Sequence, residues 1–377
     1  MFDLICFSHL RWNFVYQRPQ HIMTRYSKLA RVFFVEEPMY DAKEDFNQIS
    51  LDEGSGVHIV VPHLSCGSIN QNIRLKILLK SLVEAYSIND YLLWYYSPMA
   101  LEFSDHLSPR MIVYDCMDEL SAFKFAPASL NSLELKLFSK SDVVFTGGQM
   151  LYEAKKSRHH NIFPFPSSID KDHFYKARAN KKDPEDQKRI SSPRLGFYGV
   201  IDERFDIDLI NEVATIRPDW QFVMLGPVVK IDPATLPQKQ NIHWLGSKTY
   251  NELPEYLSGW DICIIPFVLN ESTRFISPTK TPEYLAAGKP VISTAINDVM
   301  NPYEKLGLVH IIRSPEEFVV TANKILNNHD RAKWLGMVDY YLAGISWDRT
   351  FSGMHSTIRT TMKKIEIADL ANEENYV

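Results

Sequence analysis

The sequence predicts an α/β protein built from two doubly wound parallel-sheet domains facing a cleft. Three observations lead there. The chain has 377 residues, more than one ordinary hydrophobic core organises. Short apolar runs alternate with longer amphipathic ones, the pattern of βαβ units. A charged stretch then splits this alternation into two blocks of similar length.

In the first block, "FDLICFS" (2–8), "ARVFFVEE" (30–37), "HIVVPHL" (58–64), "YLLWYY" (91–96), "RMIVYDC" (110–116) and "SDVVFTGG" (141–148) read as buried strands. Between them, "RPQHIMTRYSKLA" and "NIRLKILLKSLVEAY" carry helical periodicity. The stretch "ARANKKDPEDQKRISSP" (177–193) is nearly devoid of large apolar residues, so it predicts a linker or exposed loop. Alternation resumes with "RLGFYGVI", "WQFVMLGPV", "NIHWLGS", "DICIIPF" and "PVIST". The expected boundaries are residues 1–175 for the first domain, 176–193 for the linker and 194–348 for the second domain.

Composition excludes several classes. Hydrophobic residues make up 45% and charged residues 23% of the chain, which is globular. A net charge of −5 argues against a nucleic-acid binder working by bulk electrostatics. The four cysteines, Cys6, Cys66, Cys116 and Cys263, lack the close pairing of a zinc site and read as reduced thiols of a cytoplasmic protein. No basic n-region precedes an apolar stretch at the N-terminus, and no run reaches membrane-spanning length. The expectation is a soluble chain with possible contact at the inner face of a membrane.

Parallel sheets bind ligands beyond the carboxyl ends of their strands, so the chemistry is expected in the loops that follow strands. After the first strand, "SHLRWNFVYQRPQH" (8–21) lacks the glycines of a dinucleotide fingerprint. It is dense in binding-type side chains: His9, Arg11, Trp12, Asn13, Gln17 and Arg18. The plain alternative is aromatic residues capping the sheet beside solvated arginines. Past another strand, Asp118 can act as a base or hold a hydroxyl, or simply cap a helix. In the second block, Gly199 and Arg204 stand between a strand and a helix N-terminus, a pattern suited to a pyrophosphate. The Asp206-x-Asp208 pair suits a first helical turn without any metal ion. Gly226 follows the next strand.

The segment "LNESTRFISPTKTPEYLAAGKPVIST" (269–294) carries the densest set of candidates: Asn270, Thr273, Ser277, Lys280 and Glu283. Lys280 and Glu283 share one helical face. Lys280 can reach a phosphate and Glu283 a ribose diol; the bland reading is a surface ion pair.

Residues 194–295 resemble the nucleotide-sugar domain of GT-B glycosyltransferases, specifically the large retaining family four. The resemblance rests on "GFYGVIDER", "FVMLGP", "NIHWLGSKTYNELPEYLSGWDICIIPF" and "PEYLAAGKPVIST", with "FPFPSSIDKDHF" (163–174) closing the first domain. It implies two Rossmann-like domains and transfer from a UDP- or GDP-sugar to a glycan or lipid-linked acceptor, with no cofactor; no metal is expected either, because Arg204, Lys280 and a helix N-terminus can stabilise the leaving diphosphate. It also implies that the helix in 349–377 crosses back to the first domain before an acidic tail. Glu283 matches the ribose-binding second glutamate of the family's Glu-x7-Glu motif, and Arg204 falls near its diphosphate-binding residue. The first glutamate is replaced by Phe275. Lys280 then stands as a phosphate ligand, and Asn270 or Thr273 as sugar contacts. With Gly199, Gly226 and Ser277 these make the expected donor set. His9, Arg11 and Asp118 are the expected catalytic groups, and Trp12, Asn13, Gln17 and Arg18 the expected acceptor contacts. The first-domain loop resembles that of a bacterial cell-surface polysaccharide subgroup. A nucleotide-sugar 2-epimerase and a non-catalytic partner subunit share the fold and remain alternatives.

Overall fold

Two sheets organise the chain, and the computed structural model describes residues 2–67, 70–179, 182–328 and 331–374. Met1–Pro166 together with Asp348–Val377 forms one unit, and Ser167–Trp347 forms the other.

The first unit contains β1 (Asp3–Phe7), β2 (Arg31–Val35), β3 (Met39–Ala42), β4 (Phe46–Asp52), β5 (Val57–Ser65), β6 (Tyr91–Tyr95), β7 (Met111–Cys116), β8 (Val143–Thr146) and β9 (Ile162–Pro164). Its helices are α1 (Arg18–Tyr26), α2 (Gln71–Ala85), α3 (Leu101–Ser104), α4 (Leu130–Lys140) and α5 (Gln149–Lys155). The sheet order is β3-β5-β2-β1-β6-β7-β8-β9, with β4 antiparallel on β5. β1 lies parallel between β2 and β6, Asp3 standing opposite both Arg31 and Tyr91. Every residue of β1 and β6 is buried, as in a parallel sheet covered on both faces. Strand order reverses between β1 and β6, which opens a crevice at their carboxyl ends.

The second unit contains α6 (Lys171–Ala179), β10 (Arg194–Tyr198), α7 (Ile207–Ile216), β11 (Gln221–Leu225), β12 (Ile242–Trp244), α8 (Leu253–Ser258), β13 (Ile262–Ile265), α9 (Lys280–Ala286), β14 (Val291–Thr294), α10 (Asn297–Val299), β15 (His310–Ile312), α11 (Pro315–Asn327) and α12 (Ala332–Leu342). Its parallel sheet runs β12-β11-β10-β13-β14-β15. This is the doubly wound order in which the crevice falls between β10 and β13. Trp220, Trp260, Tyr284 and Ile264 anchor its core.

Three features depart from expectation. β3 and β4 escape a periodicity reading because β4 has no fully buried residue and is built mostly of polar side chains. The chain changes units after Pro166 rather than Tyr175. The reason is that Ile169, Phe174 and Ala177 bury their apolar surface in the second core, and the His173 ring stacks on Tyr250 with centroids 4.2 Å apart. The stretch taken for a linker folds onto the second unit over its described part, 182–193. Gln187 is fully buried, donating to the Tyr256 carbonyl (3.1 Å) and accepting from Trp260 Nε1 (2.8 Å), and Asp183 pairs with Arg194 at 2.6 Å. These polar groups satisfy one another, so a polar composition does not make them solvated. Asn180 and Lys181 lie outside the described residues.

The last helix, α13 (Trp347–Glu374), runs from the second unit into the first. Met354 and Ile358 are buried there, and Thr361 accepts from Asn161 Nδ2 at 3.0 Å. The expected acidic tail extends into residues 375–377, which lie outside the described residues. Among the described residues, no helix is long and apolar enough to cross a membrane.

Candidate functional site

The second sheet's crevice is built first by its glycines. Gly199 follows β10 at φ 140° and Gly226 follows β11 at φ 138°, conformations that side chains disfavour. A Cβ on Gly226 would lie 1.8 Å from the Gly199 carbonyl oxygen, and one on Gly199 would lie 2.6 Å from Lys280 Nζ. Two strand ends and one lysine thus pack closer than any side chain permits. Lys280, the first residue of α9, holds its ammonium 5.5 Å from the Phe197 ring centroid and 5.7 Å from that of Phe267. Phe197 is the penultimate residue of β10 and Phe267 follows β13, so the cation stands at the strand-order reversal. Quadrupoles of the two rings favour the charge there.

One turn along α9, Glu283 is only 6% exposed. Tyr198 donates its hydroxyl to Glu283 Oε2 at 2.5 Å. Burial pushes this carboxyl up to about 7, against the opposing pull of the Tyr198 hydrogen bond and the Lys280 charge. Neighbouring residues of β10 therefore serve both groups of α9, Phe197 the cation and Tyr198 the carboxylate.

Other expected donor contacts are engaged elsewhere. Arg204 is held bidentately by Asp202, Nε to Oδ1 at 3.0 Å and Nη2 to Oδ2 at 2.6 Å, so its charge is already compensated beside the crevice. Asn270 Oδ1 accepts from the Ser272 hydroxyl (2.7 Å) and backbone N–H (3.0 Å). Thr273 is buried and donates to the Val268 carbonyl at 2.5 Å. Both side chains shape the loop before α9, which accounts for their residue types without a ligand. Ser277 enters through its carbonyl, which accepts from Ser167 Oγ at 2.7 Å. Phe275 is half-buried beneath the Arg274 guanidinium, 5.2 Å from its ring. Asp206 caps α7 by accepting from the Leu209 N–H at 2.9 Å.

The first unit distributes its candidate loop over several structural tasks. Arg11 donates to Glu36 Oε2 at 2.9 Å and to the Glu37 carbonyl at 2.6 Å. Trp12 is buried edge-on against Phe34 and its N–H donates to Glu36 Oε1 at 2.7 Å. Gln17 is the N-cap of α1, its N–H donating to Gln20 Oε1 at 3.0 Å. Arg18, expected as an acceptor contact, is buried instead. It grips Asp115 through Nε and Nη2 at 2.8–3.1 Å and donates to the Phe165 carbonyl at 2.7 Å. Burial pushes the Asp115 carboxyl up, opposed by Arg18. Asn13 is exposed and Asp118 half-buried, and the short helix after Asp118 takes Glu119 as its N-cap. His9 alone of the expected catalytic trio lines the crevice pocket of this unit.

Sequence reading missed Tyr198, Phe197 and Phe267. Their signal was position: the end of one strand and the loop just past another, on either side of a sheet's central crevice.

Residues 192–328 match the family model described as Glycosyl transferases group 1. Over 262 residues the chain is 26% identical to the Bacillus subtilis (strain 168) protein named "Putative teichuronic acid biosynthesis glycosyltransferase TuaH". That alignment covers 63% of this chain and 64% of that protein, so the chain spans less than two thirds of its relative. Among solved structures, sucrose-phosphate synthase from Thermosynechococcus elongatus superposes with a TM-score of 0.73 at 14% identity, covering 97% of this chain and all of the other. Anabaena HepE in complex with UDP-glucose gives 0.67 at 13% identity, covering 96% and 100%. These likenesses show that the fold is that of GT-B glycosyltransferases.

Proposed function

We propose that this chain, which carries a Glycosyl transferases group 1 domain over 192–328, is a glycosyltransferase. It moves a sugar from a nucleotide-diphosphate sugar to a glycan or lipid-linked acceptor in bacterial surface polysaccharide biosynthesis. One observation carries this reading. Lys280 and Glu283 stand one helical turn apart at the strand-order reversal of the matched domain, a cation seated between two rings and a carboxylate held by a tyrosine. The teichuronic acid relative and the UDP-glucose complex of HepE support the substrate class.

In this reading Lys280 faces the donor diphosphate and stabilises the charge that develops on it as the glycosidic bond breaks. Glu283, ionised, accepts from the ribose hydroxyls with Tyr198 fixing its second oxygen. Gly199 and Gly226 let the backbone come close to the phosphates. Arg204, paired with Asp202, supplies orientation more than free charge. Family resemblance adds retention of anomeric configuration to the proposal, and Lys280 with the helix N-terminus behind it supports chemistry without a metal ion.

Titration with UDP and GDP, followed by nucleotide release from a panel of nucleotide sugars with and without glycan acceptor, tests it. Lys280→Ala is expected to weaken nucleotide binding at least tenfold. Unchanged affinity in both Lys280→Ala and Glu283→Ala would place the donor elsewhere.

A further inference from the structure

The strand β4 forms an open edge of the first sheet. Among the described residues its one strand partner is β5, antiparallel and in unbroken register from Phe46↔His63 to Asp52↔Val57. Folded proteins commonly blunt such an edge with lysine, proline or a bulge. The sequence of β4, FNQISLD, contains neither residue, and its register with β5 does not shift.

The neighbouring strands fix which backbone groups of β4 are left open. The Val60 carbonyl accepts from the Glu36 N–H at 2.9 Å, on the β2 side of β5. Backbone groups alternate in direction along a strand, so Ile59 and Val61 face β4. Their register partners, Ser50 and Gln48, therefore bond inward. Asn47, Ile49 and Leu51 then aim their N–H and C=O groups away from the sheet. Among the described residues, none of these six groups meets another backbone group. The Leu51 side chain is itself 53% exposed.

We propose that this edge pairs with β4 of a second copy of the chain, antiparallel about a two-fold axis at Ile49. That register sets Ile49 opposite itself and Asn47 opposite Leu51 of the copy, so every open N–H finds an open C=O. A slip of two residues either way leaves the groups of one residue per strand unpaired. The contact is isologous, the same patch on both copies. Charge agrees with it: residues 46–51 carry none, and the two Asp52 carboxylates fall at opposite ends of the paired strands. The helix α2 packs on β4, where Asn47 Nδ2 donates to the Leu78 carbonyl at 2.8 Å. Under the same axis the two α2 helices run antiparallel, so the exposed Lys80 and Glu84 of each meet opposite charges head to tail. Strand pairing alone buries less than the roughly 1,600 Å² of a standard interface, so the dimer is weak and concentration-dependent.

Sedimentation velocity on the full chain across a hundredfold concentration range, combined with residue-resolved amide hydrogen exchange, tests the pairing. Dimerisation is expected to slow exchange at Asn47, Ile49 and Leu51 at least fivefold, while Gln48 and Ser50, already bonded to β5, change little. Leu51→Pro removes an outward N–H at an exposed position and should weaken self-association at least tenfold with the melting temperature unchanged. Ser50→Pro removes an inward N–H and should lower the melting temperature instead. Equal effects of the two prolines would overturn the assignment of the open groups. A chain that stays monomeric at every concentration overturns the inference and leaves the edge to a strand of a different protein. A dimer whose β4 amides exchange as fast as the monomer's overturns it as well, since the contact then lies elsewhere.

Discussion

Glu283 shows how one carboxylate couples fold to chemistry. Its folded-state value, about 7, lies above the ordinary 4.5 because burial penalises the charged form. The folded protein therefore binds this proton more tightly than the unfolded chain does. The resulting stabilisation is fully present below about pH 4.5 and is lost as pH rises through about 7. In the proposed role Glu283 must be ionised to accept from a ribose, so nucleotide affinity should increase between pH 6 and 8. Glu283→Gln should flatten that increase and remove this group's share of the stability decline. Calorimetric titration and thermal melts across the same pH series check both; an unchanged affinity profile in the variant would assign the titration to another group.

The elements divide sharply in how much the sequence disclosed. Central strands such as β1, β6 and β13 were legible because parallel burial demands unbroken apolar runs. β4 was not, since an edge strand with one partner tolerates Asn, Gln, Ser and Asp. The candidate donor helix was legible from Lys280 and Glu283, whose spacing and position after a strand both carried information. Arg18 misled for the opposite reason: a polar residue in a loop-rich stretch reads as exposed, and its partner Asp115 lies 97 positions away. Removing one member of such a buried pair leaves an uncompensated charge, typically costing about 3–5 kcal/mol. Arg18→Ala should show a loss of that size in urea denaturation, with nucleotide affinity preserved if the donor site is that of the second unit. A loss under about 1 kcal/mol would mean that the pair is largely hydrated, like an exposed one.

At the scale of the whole molecule, the second unit is a single continuous stretch, Ser167–Trp347, whereas the first is assembled from two. The excised fragment 167–347 should melt cooperatively and retain UDP binding within a few-fold of the full chain, measurable by calorimetry. Loss of binding in a folded fragment would require ligand contacts from the other unit. The first unit has no such independence. Tyr26 packs edge-on against Phe351 of α13 with centroids 4.8 Å apart, and the Phe165 ring leaves no room for a side chain at position 353, where Gly353 stands. During synthesis on the ribosome, domains generally fold as their residues emerge. Here the half made first must wait, its surface over Tyr26 and Phe165 uncovered, while all of Ser167–Trp347 is translated and α13 at last appears. The unit that is begun first is therefore the one finished last.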